Sequence, residues 1–89
     1  MKVKFFAYLR DYTKAKEIEL EYCSTVDELL HRLCDRYGDE IRRKLFNGSE
    51  LSNEIIILIN GRHIAHLEGR NTILKEDDVI SIFPVVAGG

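Results

Sequence analysis

The chain has 89 residues, with thirteen Lys and Arg against fifteen Asp and Glu, a formal net charge of −2, and 45% hydrophobic and 31% charged side chains. That length supports one compact core, the composition excludes disordered and collagen-like chains, and no apolar run approaches the roughly 20 residues of a membrane span. Apart from Arg42-Arg43-Lys44 the cations are scattered, which excludes the basic stripe that nucleic acid requires.

Neither a nucleic acid nor a membrane is therefore expected as a partner. The start, Met1 to Phe5, lacks the apolar stretch and cleavage site of a signal peptide, so the expected location is cytoplasmic. Lys2 to Arg10 alternates, with Val3, Phe5, Ala7 and Leu9 on one face and Phe6 and Tyr8 on the other, as in a half-buried strand. Glu17 to Tyr22 alternates again and is expected to pair antiparallel with it. Thr25 and Glu28 form a capping box, and Val26, Leu29, Leu30, Leu33, Cys34 and Tyr37 follow as one helical stripe closed by Gly38.

Asp39 to Phe46 predicts a shorter helix with Arg42-Arg43-Lys44 near its end, stopped by Asn47-Gly48. Ser49 to Asn53 reads as loop. Ile55 to Ile59 is apolar on both faces and predicts a strand covered on both sides. Asn60-Gly61 suits a type I′ turn, leading to a polar edge strand over Arg62 to His66. The polar connection 69–78 carries Ile73 and Leu74 as core plugs, and a last strand, Val79 to Phe83, ends at Pro84. One long helix with about five short strands predicts an α+β domain, a twisted mixed sheet packed on that helix.

No acid, base, nucleophile or metal cluster assembles into a catalytic site, so the chain is expected to be no enzyme by itself and to bind neither metal nor cofactor. His63 and His66 fall on opposite faces of a strand, and His31 faces solvent. Asp39-Glu40 suits a helix start, and Glu76-Asp77-Asp78 suits a turn. Cys23 and Cys34 lack the spacing of a disulfide framework or zinc site. Buried reduced thiols are the default, with a redox or persulfide role for Cys23 as the lesser alternative.

The ending, Phe83-Pro84-Val85-Val86-Ala87-Gly88-Gly89, tapers to no side chain at all. A frayed terminus is the bland reading. Against it, the taper runs straight out of a buried strand, and a Gly-Gly end passes through a tunnel too narrow for other residues while leaving its carboxylate open to attack. Six residues beyond the strand reach roughly 20 Å, enough to enter another protein's active site. A carboxylate is a poor electrophile until activated, so such a tail implies an outside activating enzyme.

The tail, the strand Val3-Lys4-Phe5-Phe6-Ala7-Tyr8-Leu9-Arg10, the helix start Ser24-Thr25-Val26 with Leu29-Leu30, and Ile59-Asn60-Gly61 together resemble the ubiquitin-like sulfur carriers over essentially the whole chain. The similarity is strongest to the small subunit of molybdopterin synthase. It implies a β-grasp domain over 1–83 and a flexible tail over 84–89. It also implies that an E1-like adenylating enzyme, using ATP, converts the Gly89 carboxylate to an acyl-adenylate and then a thiocarboxylate, with Gly88 giving access. The sulfur would pass to a pterin precursor within the synthase large subunit. Many members carry two prolines where this chain has Pro84-Val85, and archaeal small modifiers and the eukaryotic ubiquitin-related modifier look alike at this level.

A protein modifier conjugated to target-protein lysines, a sulfur carrier for tRNA thiolation, or a passive interaction module are the alternatives. Phe6 and Tyr8, with Ile56 or Leu58, Phe83, Pro84, Val85, Val86 and Ala87, form the candidate partner surface. The competing reading is that the short second helix or a loop covers Phe6 and Tyr8.

Overall fold

The computed structural model describes residues 1–85. Strand β1 (Lys2–Phe5), a helical turn α1 (Leu9–Thr13) and strand β2 (Glu17–Glu19) precede the main helix α2 (Val26–Tyr37) and the shorter helix α3 (Asp39–Leu45). A small ribbon of β3 (Phe46–Asn47) and β4 (Glu50–Leu51) follows, then β5 (Ile55–Ile59), β6 (Arg62–His63), two 3-10 turns (Ile64–His66 and Gly69–Asn71) and β7 (Val79–Pro84). The main sheet runs β2-β1-β7-β5-β6, with β1 and β7 parallel and the remaining neighbours antiparallel. This mixed five-stranded sheet on one main helix is the β-grasp arrangement that the resemblance implied.

The core forms because two periodicities meet. Val3, Phe5, Ile57, Ile59, Ile80 and Ile82 point inward from alternating strand positions, and Val26, Leu29, Leu30, Leu33 and Cys34 close over them from α2. Burying each such aliphatic side chain contributes about 1.5–3 kcal/mol. Thr25 caps α2 by accepting the Glu28 N–H on its hydroxyl at 3.2 Å. The Glu28 carboxylate bonds the Ser24 N–H and hydroxyl, at 2.9 and 2.7 Å, rather than the Thr25 N–H of a reciprocal capping box. At Asn60-Gly61 both φ values are positive, +51° and +87°, as a type I′ turn requires. Asn60 is locked there by Asp78, whose carboxylate also accepts the Lys75 N–H.

Several expectations change. The first strand stops at Phe5, because Ala7 takes a left-handed φ of +53° and turns the chain into α1. Ala7 is consequently exposed, while Leu9 still reaches the core. The second strand ends at Glu19 and leaves Tyr22 exposed. Part of the expected loop 49–53 pairs instead, joining Phe46–Asn47 to Glu50–Leu51. β5 is buried on one face only, its outer side chains being half-buried. The return strand lasts two residues before a 3-10 turn. Leu74 plugs the core, but Ile73 points outward.

The last strand does not stop at Phe83 but takes in Pro84. Pro84 pairs with Ile55, and beyond it the Val85 N–H donates to the Glu54 carbonyl at 2.7 Å. The expectation of flexibility for the tail falls, from residue 86 onward, outside the described residues.

Arg70 fastens the ribbon. Its guanidinium donates to the Asp27 carboxylate at the start of α2 and to the Ser49 carbonyl, and lies 5.0 Å over the Phe46 ring.

Candidate functional site

Strand register builds an apolar row on the sheet face turned away from α2. Ile56 is opposite Phe83 in the β5–β7 pair. The Phe6 N–H donates to the Ile82 carbonyl at 3.2 Å, carrying the parallel β1–β7 register one residue past β1. The Phe6 and Phe83 rings stack with centroids 4.0 Å apart and planes 12° from parallel. Leu58 and Ser81 form the next row, edged by Lys4 and His63. All of these side chains are half-buried, neither swallowed by the core nor free in water.

Because β1 and β7 run parallel, Phe6 and Phe83 lie at the end of the sheet from which the tail leaves. The patch and the tail root are thus one continuous surface through Phe83, Pro84 and Val85, the last 39% exposed. Arg10 completes it: its guanidinium sits 5.4 Å over the Phe6 ring, and its Nε donates to the Phe5 carbonyl at 2.8 Å. A cation stacked on an aromatic at the rim of an apolar patch is a common makeup for an interface anchor.

Of the residues named from sequence, the structure brings together Phe6, Phe83, Pro84 and Val85, with both Ile56 and Leu58 beside them. Tyr8 is not among them. The turn at Ala7 carries it to the N-cap of α1, where its ring packs against the core and under Lys44 of α3, 5.5 Å away. For Tyr8, then, the short helix does provide the cover. Val86, Ala87, Gly88 and Gly89 lie outside the described residues. Arg10 was missed, although its i, i+4 spacing from Phe6 is visible once Ala7 is understood to turn the chain.

The thiols are poor nucleophiles. Cys23 and Cys34 are buried and reduced, and burial pushes both above the ordinary thiol value of 9.0. Arg32 beside Cys23 and Arg42 near Cys34 pull the other way, but less strongly. His63 accepts the Ala65 N–H on Nδ1, and His66 meets its ring edge-on at 6.0 Å. His31 is half exposed, its Nδ1 2.9 Å from the Asp27 carbonyl, and its ring lies beside Phe46. Among the described residues no three His, Cys, Asp or Glu side chains are grouped to hold a metal ion. No helix among them is long and apolar enough to cross a membrane.

Fold, open sheet face and tapered ending define the class: a ubiquitin-like β-grasp protein. The profile of the ThiS family matches residues 3–89, and the chain belongs to that family of ubiquitin-like sulfur carriers. It is 34% identical to small archaeal modifier protein 3 of Haloferax volcanii, over 100% of this chain and 98% of that one. Among solved structures it resembles small archaeal modifier protein 1 of Methanosarcina acetivorans, with a TM-score of 0.89 and 39% identity over 99% and 94% of the two chains. It also resembles a chain of the Amycolatopsis orientalis BexX/CysO complex, with a TM-score of 0.86 and 27% identity over 99% and 98%.

Proposed function

We propose that this protein is a small protein modifier of the sulfur-carrier family, whose working group is the carboxylate of Gly89. An E1-like enzyme would catalyse attack of that carboxylate on the α-phosphate of ATP, releasing pyrophosphate and leaving an acyl-adenylate. The amine of a target-protein lysine then attacks the carbonyl carbon, AMP departs with the bonding electrons, and the amine loses its proton to form an isopeptide bond. Hydrosulfide attacking the same carbon would give the thiocarboxylate, so conjugation and sulfur transfer share one activated intermediate.

The observation that carries this reading is the continuity of the half-buried Phe6–Phe83–Ile56 row with the tail root, which lets one partner hold the sheet face and receive the tail. Support for conjugation comes from relatives named as modifiers at 34% and 39% identity over almost the whole chain. Those names favour the modifier, or a thiolation carrier using the same intermediate, over a role confined to molybdopterin synthesis; the synthase large subunit is the less supported partner.

Incubation with ATP, the cognate activating enzyme and cell extract should yield higher-mass conjugates that vanish when Gly88 and Gly89 are deleted. Supplying hydrosulfide should instead raise the intact mass by about 16 Da. Conjugates that persist in the deletion variant would sink the proposal.

A further inference from the structure

We infer that the Val85–Glu54 backbone hydrogen bond is a latch that sets where the tail leaves the sheet, and so how much chain is free to deliver the acyl group. The inference rests on the carrier reading above. Bonds in an antiparallel ladder fall on alternate residues. The Asn60 N–H donates to the Val79 carbonyl at 2.8 Å and the Val85 N–H to the Glu54 carbonyl at 2.7 Å, so positions 79 and 85 share one phase. Pro84, opposite Ile55, falls in the other phase. Its missing N–H therefore removes no ladder bond to β5, and the ladder closes once more beyond it.

The acceptor is itself held. The Glu54 N–H donates to the Ser52 hydroxyl at 3.1 Å, and the Ile55 N–H to the Ser52 carbonyl at 3.3 Å. The Ser52 N–H in turn donates to the Leu45 carbonyl at the end of α3, at 2.8 Å. A proline at position 85 would have no donor to offer; the valine there supplies one.

With Val85 held, four residues separate the sheet from the acyl carbon and span at most about 14 Å, against about 20 Å for six. A partner must then place its catalytic chamber within that shorter reach or break the bond. Val85 is accordingly a positioning residue. Holding the root before docking removes tether conformations that would otherwise be lost on binding.

Semisynthesis can replace the Val85 N–H by an ester oxygen and keep the side chain, for comparison with the semisynthetic all-amide chain in ATP–pyrophosphate exchange with the activating enzyme. KM is expected to rise about two- to tenfold, the worth of one backbone hydrogen bond, with kcat unchanged within about twofold. Val85→Pro should move KM in the same direction. In the native chain the Val85 amide should exchange at least about tenfold more slowly than free peptide, and protection at Leu58, opposite Ser81 in the bonded phase of the ladder, reports that each variant is folded. Equal KM for ester and amide chains, or free-peptide exchange at Val85, overturns the latch. An all-amide chain that ATP never activates overturns the carrier reading instead, and the exchange rate still judges the bond.

Discussion

Thr25, Ser24 and Glu28 begin the main helix with three hydrogen bonds, and the domain depends on that start because α2 supplies one wall of the core. Thr25→Ala should cost about 1 kcal/mol. In a domain of this size that lowers Tm by about 4–8 °C in a thermal melt, whereas an unchanged Tm would deny the cap its role. The Glu28 carboxyl is held below its ordinary value of 4.5 by the two Ser24 bonds. A lowered folded-state value means the stabilisation is complete above pH 4.5 and fades as the pH falls through the folded value. Glu28→Gln should therefore be less stable than the native chain at pH 7, and the gap should narrow in acid.

Residues read by type and spacing were legible in this way: the cap, the Asn60-Gly61 turn and the buried Cys34 are all where the pattern puts them. Tyr8 was not, because one backbone dihedral at Ala7 reversed its side of the sheet, and alanine carries no sign of a positive φ.

At the scale of elements, α2, α3 and the β5 strand were legible from their apolar repeats, whereas α1 was hidden inside a run that alternates like a strand. The ribbon β3–β4 was not, since two residues per strand are too few to show a period. The uniformly apolar run Ile55 to Ile59 pointed to a strand covered on both faces, yet its outer residues are only half-buried, in the open row with Phe6 and Phe83. An apolar row left open is what a partner-binding face looks like from sequence. Phe6→Ala should weaken binding to the activating enzyme about tenfold or more, as loss of an interface aromatic does. The stack it breaks is worth only about 0.5–1.5 kcal/mol beyond its buried area, so the variant should remain folded in circular dichroism. Undiminished binding would remove the outer face from the interface.

For the whole molecule, the proposed function makes the β-grasp domain a handle. Its parallel β1–β7 pair puts the aromatic row and the tail root at one end, and its ladder runs past Pro84 to Val85. The order of elements carried that architecture in the sequence, whereas the extension past proline depended on ladder phase, which only the register reveals. In the proposed function an unhindered glycine carboxylate is threaded into another protein's chamber. The most direct test of that threading is ATP–pyrophosphate exchange by the activating enzyme with the native chain and with Gly88→Phe. The native chain should support exchange, and the variant, with a ring where the tunnel admits only backbone, should lose it about a hundredfold or more while keeping the same Tm. Equal exchange rates for the two chains would contradict the account.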